Sequence, residues 1–223
     1  MTSEDPHARQ PVRSAGARVS SNALVAVLLH GRNAGPADIL GLADRFARPG
    51  LTCLAPAAAG RTWYPQSFLA PRTQNEPYLS SALASVGRVV DDVAALGVPT
   101  RRIVIVGFSQ GACLAAEFVY RRADRLGALL AFSGGLIGPP GTAWTRTASF
   151  GDMPAFFGCS DVDAHVPRAR VEETAGVFAA LGARVTPRIY PGMGHLVNED
   201  EIACARAIFD EIGGDRLSRS DLT

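Results

Sequence analysis

The sequence predicts one α/β domain built on a mostly parallel sheet with helices on both faces. Three observations carry that expectation. Short apolar runs alternate along the chain with longer amphipathic stretches. Most of the runs are continuously apolar rather than alternating, as strands buried on both faces require. Gly and Pro punctuate nearly every junction between them.

Residues 1–22 are polar and read as a flexible tail, with a short edge strand near Ala17-Arg18-Val19. The domain is expected over residues 23–213. Ala23 to Leu29 is a buried strand ending at His30-Gly31. Pro36 opens a helix to about Ala47, because proline fits the first turn, where its missing N–H has no partner to lose. Leu51 to Ala55 is a second short strand. Pro56 to Asn75, rich in Pro, Gly and aromatics, is a loop. A long helix runs from about Glu76 to Leu96 and is stopped by Gly97 and Pro99. Arg102 to Val106 is a strand, and a helical pattern follows from Ala112 to Tyr120. Leu126 to Phe132 is a strand and residues 136–152 a loop. Ala155 to Gly158 is a strand, Pro167 to Leu181 a helix and Arg184 to Tyr190 the last strand. Glu199 to Ile212 closes the domain, and residues 214–223 form a polar tail.

Composition narrows the function classes. A chain of 223 residues, 47% apolar and 19% charged, can bury a sizeable core. A net charge of +1 gives no electrostatic case for nucleic acid or an anionic membrane. All 22 basic residues are arginine. The four cysteines form no C-x-x-C pair and read as reduced thiols, three of them in apolar runs. No apolar stretch is long enough to span a bilayer, and the polar N-terminus lacks a secretory signal. A cytoplasmic protein is expected, without stable membrane insertion, as a monomer or homodimer.

The chemistry is concentrated at Gly107-Phe108-Ser109-Gln110-Gly111. This is G-x-S-x-G between a buried strand and a helix, the nucleophile elbow of serine hydrolases. Acyl transfer through Ser109 needs a base and an acid that orients the base, arriving in the chain order Ser, Asp/Glu, His. Two histidines follow Ser109, His165 and His195. His195 is the expected base, since Gly192 and Gly194 let its loop fold back over the sheet edge. The acid lies after Phe156-Phe157-Gly158, where Asp161 and Asp163 both qualify. Asp163, four residues before Pro167, is preferred, which leaves Asp161 to cap a turn. The turn His30-Gly31-Arg32-Asn33 is placed to supply a second oxyanion donor, so the backbone N–H groups of Arg32 and Gln110 are the expected pair. The His30 side chain braces its loop. No metal or organic cofactor is required.

These pieces resemble the phospholipase/carboxylesterase family of α/β-hydrolases, the small esterases that include acyl-protein thioesterases. Leu29-His30-Gly31, Gly107-Phe108-Ser109-Gln110-Gly111-Ala112, Asp163-Ala164-His165-Val166-Pro167 and Gly194-His195 carry the resemblance, over about residues 24–212. It implies a single-domain α/β-hydrolase fold and a triad of Ser109, Asp163 and His195, with Arg32 and Gln110 as oxyanion donors. The chain departs from the family at Arg32, often apolar there, and in a longer acid loop, which keeps Asp161 in contention. The Arg32 side chain is expected to favour acidic or polar substrates.

Only about twenty residues separate Ser133 from Met153, too few for a large cap domain. The site wall is expected from Pro56 to Asn75, whose aromatics either bind an apolar acyl or aryl group or plug the core, with Trp63 and Phe68 the preferred substrate contacts. A small-molecule ester is the expected substrate, cleaved through an acyl-enzyme, with thioesters and lysophospholipids in the same chemistry. Two other readings use the same residues: an acyl transferase or perhydrolase, and a non-catalytic ligand-binding module on the same fold.

Overall fold

Seven strands pair in the order β1-β3-β2-β4-β5-β6-β7, and every pairing is parallel except that of β1 with β3. In this computed structural model, which describes residues 5–122 and 124–214, the strands are β1 (Val12–Gly16), β2 (Leu24–Leu29), β3 (Leu51–Pro56), β4 (Ile103–Phe108), β5 (Ala128–Phe132), β6 (Pro154–Ser160) and β7 (Arg184–Tyr190). The helices are α1 (Pro36–Ala43), α2 (Tyr78–Ala95), α3 (Gln110–Arg121), α4 (Arg168–Ala180) and α5 (Glu199–Gly214). The α/β expectation and its single mostly parallel sheet are met.

Burial explains why the central strands are apolar throughout. Every residue of β2, β5 and β6 is buried. Successive side chains point to opposite faces. Val25, Val27 and Leu29 therefore enter one core with Leu79 and Val86 of α2, Leu114 of α3 and Phe178 of α4. Leu24, Ala26 and Leu28 enter the other, with Ile39 of α1 and Ile202, Ala205 and Phe209 of α5. Burying each large aliphatic side chain in this way stabilises the fold by about 1.5–3 kcal/mol. The edge strand β7 carries half-exposed positions and tolerates Pro187, whose missing N–H a central strand would need.

The N-terminal segment differs from its expected form. The strand is Val12–Gly16, not 17–19, and it pairs antiparallel with β3 from Val12↔Pro56 to Gly16↔Thr52. Its side chains are mostly exposed, so it has no apolar signature to find. Ahead of it His7 is buried, and Asp5 bonds Ser81 and pairs with Arg88 at 3.0 Å, both on α2. Within the expected 1–22 tail, Asp5 and His7 thus pack on α2 and Val12–Gly16 on the sheet. Of the expected 214–223 tail, Gly214 closes α5 and the rest lies outside the described residues.

The helix from Pro36 ends at Ala43, and a single 3₁₀ turn, Asp44–Phe46, completes it. Because β2 to β7 run parallel, the C-terminal ends of β2, β4, β6 and β7 lie along one rim, where ligands of such sheets bind.

Candidate active site

Ser109 joins β4 to α3 in a turn that two glycines make possible. A Cβ on Gly107 would stand 2.3 Å from the Gly111 carbonyl oxygen, and one on Gly111 only 2.0 Å from that of Leu29. Ser109 itself takes φ 57°, ψ −122°, a conformation rare for a residue with a side chain and held here by its surroundings. Its N–H donates to the Phe132 carbonyl at 2.9 Å, and its carbonyl accepts from Ala112 and Cys113 in the first turn of α3.

The loop after β7 brings His195 over this turn. His195 Nε2 lies 2.8 Å from Ser109 Oγ, and Nδ1 lies 2.7 Å from Asp163 Oδ2. A carboxylate only accepts, so Nδ1 carries the proton and Nε2 is left to accept the serine O–H. The other oxygen of Asp163 accepts from the N–H groups of His165 at 2.8 Å and Val166 at 3.0 Å. Burial alone would raise the Asp163 carboxyl. The bonds from His195, His165 and Val166 outweigh it and hold the group below its ordinary value.

Asp161 has a different partner. Its Oδ1 accepts from the Gly192 N–H at 2.8 Å, at the root of the histidine loop. Ser160 Oγ accepts from Gly194 at 3.0 Å. The acid loop therefore supplies both the group that meets the ring and the groups that shape its loop. His165, the other histidine after Ser109, stacks edge-on against His195 with ring centroids 4.7 Å apart, and Phe108 packs on His195 at 4.9 Å.

Gly31 closes the other side: a Cβ there would lie 3.4 Å from that of Ser109. The N–H of Arg32 next to it, and that of Gln110 at the start of α3, have no acceptor among the described residues. For Gln110 this follows from its place in the first helical turn. His30 braces the turn: its Nδ1–H donates to Gly31 at 2.8 Å and its Nε2 accepts from Ala58 N–H at 3.1 Å.

Ser109 opens into a cavity of about 480 Å³ lined by Gly31, Arg32, Tyr64, Phe68, Cys113, Val166 and His195 among others. A second cavity of about 340 Å³ shares Gly31, Ala34 and Phe108 with it and is otherwise walled by the apolar Ile39, Leu42 and Val197 and the polar His30, Asp38 and Arg45. Phe68 thus faces the space beside Ser109. Trp63 does not: it is fully buried, donates its indole N–H to the His30 carbonyl at 2.8 Å, and packs between His7 and His30. The expected substrate contact at Trp63 is corrected to a core plug behind the wall. The reading of Arg32 as a cation offered to substrate also changes. Its guanidinium donates to the carbonyls of Tyr64, Pro65 and Gln66 at 2.8–3.0 Å. Nothing in the sequence marks those contacts, which cross more than thirty positions. Among the described residues no three His, Cys, Asp or Glu side chains converge as a metal site.

A strand-turn-helix serine at the rim of this sheet defines the chain as an α/β-hydrolase by fold. More narrowly, it belongs to the phospholipase/carboxylesterase family, whose model matches residues 52–210. It is similar to the crystal structure of a phospholipase/carboxylesterase from Dyadobacter fermentans (38% identity, TM-score 0.84, covering 89% of this chain and 95% of that one). Esterase PE8 is similar at 26% identity and TM-score 0.76, covering 91% and 99%. In sequence the chain is 29% identical over 154 residues to acyl-protein thioesterase 1 of Eremothecium gossypii, which spans 65% of this chain and 64% of that protein. It is 28% identical to lysophospholipase-like protein 1 of Mus musculus, over 51% of this chain and 48% of that protein. No helix among the described residues is long and apolar enough to cross a membrane.

Proposed function

We propose that the protein hydrolyses carboxylic esters through a Ser109–His195–Asp163 triad and an acyl-enzyme intermediate. The observation that carries this reading is the hydrogen-bonded series from Asp163 Oδ2 through the His195 ring to Ser109 Oγ, with spacings of 2.7 and 2.8 Å. Family membership supports it independently.

In the first step His195 Nε2 takes the serine proton as Oγ attacks the carbonyl carbon. The backbone N–H groups of Arg32 and Gln110 hold the resulting oxyanion; such a donor is typically worth about 3 kcal/mol at the barrier. His195 returns the proton to the leaving oxygen. It then activates water, which releases the acid from Ser109 by the same route in reverse. Asp163 keeps the proton on Nδ1 and stabilises the imidazolium as it forms.

An ester has an acyl arm and an alkoxy arm, and the two cavities that meet at Gly31 and Phe108 give each a place. The larger suits a small or medium group against Phe68. A thioester passes through the same tetrahedral oxyanion, so acyl thioesters and lysophospholipids fall within the same chemistry. The unpaired thiols Cys53, Cys113, Cys159 and Cys204 suit a reducing, cytoplasmic setting.

The test is Ser109→Ala. Turnover of p-nitrophenyl acetate should fall by about 10⁴-fold or more, and labelling by a fluorophosphonate should be lost. A variant that keeps most of its turnover overturns the reading, as does a native protein that neither labels nor turns over graded p-nitrophenyl esters and an acyl thioester.

A further inference from the structure

The two donors proposed for the oxyanion come from different parts of the sheet, one after β2 and one at the start of α3. Their spacing has to be held by something. The side chains of the same two residues converge on one short segment, Thr62–Gln66. Arg32 Nη2 donates to the carbonyls of Tyr64 at 3.0 Å and Gln66 at 2.8 Å, and Nη1 to that of Pro65 at 2.9 Å. From the other side, Gln110 Nε2 donates to the Tyr64 carbonyl at 2.8 Å and to Thr62 Oγ1 at 3.2 Å. Its Oε1 accepts from the Trp63 N–H at 3.0 Å.

Each of these groups is committed to the segment. Both N–H bonds and the oxygen of the Gln110 amide are engaged, so its orientation is determined. Three of the five N–H bonds of Arg32 are engaged, and both ends of its outward fork are used, which leaves no bidentate face for a carboxylate ligand. No ion pair to Arg32 is found among the described residues. The Tyr64 carbonyl is the common point, gripped by both side chains. The segment is itself anchored, because Trp63 is fully buried and bonded to the His30 carbonyl.

We propose that the Arg32 guanidinium and the Gln110 carboxamide are positioning groups that set the separation of their own main-chain N–H groups by bracing both against Thr62–Gln66. The proposal rests on the reading of those N–H groups as oxyanion donors. A displacement of several tenths of an ångström matters here, because such donors act only at the spacing the oxyanion requires. The role belongs to the side chains, so it is separable by mutation from the backbone donors, which every substitution except proline retains.

The experiment compares native protein with Arg32→Met, Arg32→Lys and Gln110→Glu. Each is assayed for kcat and KM on p-nitrophenyl acetate and for affinity toward two ligands. One is a trifluoromethyl ketone, whose carbonyl carbon bonds to Ser109 Oγ while the proton passes to His195 and the carbonyl oxygen becomes an oxyanion. The other is the corresponding carboxylic acid, which forms no such adduct. Arg32→Met and Gln110→Glu should each lower kcat roughly tenfold to hundredfold, part of the loss expected for a whole donor. Ketone affinity should fall in parallel, with KM and acid affinity within about threefold. Arg32→Lys, which keeps one or two of the bonds, should recover part of the loss. Because both side chains grip one carbonyl, the Arg32→Met/Gln110→Glu pair should lose less than the product of the single losses. Variants within about twofold of native in both kcat and ketone affinity overturn the proposal. So does an equal loss of acid and ketone affinity with a lowered melting temperature that Arg32→Lys shares. Retained activity in Ser109→Ala would instead remove the reading beneath it.

Discussion

Asp161 and Asp163 stand two residues apart and hold the histidine loop at two points. Asp163 Oδ2 meets the His195 ring at 2.7 Å, and Asp161 Oδ1 takes the Gly192 N–H at 2.8 Å, three residues before that ring. The two substitutions should therefore separate cleanly. Asp163→Asn leaves the ring placed but favours the wrong tautomer, and should lower kcat by about 10³–10⁴-fold. Asp161→Ala loosens the loop through one lost bond and should cost tenfold or less, roughly the worth of one hydrogen bond. Steady-state kinetics on one ester checks both.

Two buried imidazoles make the wall acid-sensitive. His7 Nδ1 accepts from Ala59 N–H at 2.9 Å, and His30 Nε2 accepts from Ala58 N–H at 3.1 Å. Both bonds require the neutral ring, and burial pushes both groups below their ordinary 6.5. The unfolded chain then binds more protons than the folded one below pH 6.5. Their contribution to stability is complete above that value and is lost as pH falls toward the lowered folded values, at up to about 1.4 kcal/mol per pH unit for each ring. Melting temperature followed between about pH 8 and pH 5 should show the fall, and His7→Gln, which keeps a neutral acceptor, should flatten it.

Much of the frame is legible in the chain because its physics is local or periodic. Continuous apolar runs such as Val25 to Leu29 announce strands covered on both faces, and the Gly107–Gly111 spacing announces a turn too close for side chains. Other features have no local signal. Val12–Gly16 is a strand because β3 offers it an edge, while its own side chains, Ala15 apart, are exposed. Trp63 is apolar enough for either a pocket or a core, and its indole N–H bond to His30, thirty-three positions away, decides for the core. The grip of Arg32 and Gln110 on Thr62–Gln66 likewise appears only when three distant segments meet.

Glu201 supplies a stability effect of opposite sign. Its carboxylate accepts from Asn198 N–H at 2.9 Å, and its own N–H donates to Asn198 Oδ1 at 2.9 Å, a reciprocal helix cap. Its other oxygen is buried without a partner among the described residues. Burial pushes the group up to about 7, so its contribution is present below 4.5 and is lost as pH rises through about 7. Glu201→Gln keeps the cap and should be the more stable protein above neutrality, as read by urea unfolding. Gly158→Ala should cost about 1–3 kcal/mol, because the added Cβ would stand 2.0 Å from Glu201 Oε1 and 2.8 Å from Phe156.

Trp63 and Phe68 belong to one loop but should report on different properties. Trp63→Phe removes the bond to His30 and should cost about 1–3 kcal/mol of stability, with KM unchanged. Phe68→Ala enlarges the cavity beside Ser109 and should shift preference toward bulkier acyl groups. A series of p-nitrophenyl esters of graded length, read as kcat/KM, distinguishes the two.

The antiparallel strand at the N-terminus has a practical consequence for handling this protein. A chain trimmed to start where strong hydrophobicity begins, at Leu24, would strip β3 of its outer neighbour and uncover the Trp63 carbonyl and Ala59 N–H that His7 satisfies. The bared margin of β3 would then be free to recruit a strand from another molecule, so such a trimmed version should clump in solution before any loss of catalysis could be measured.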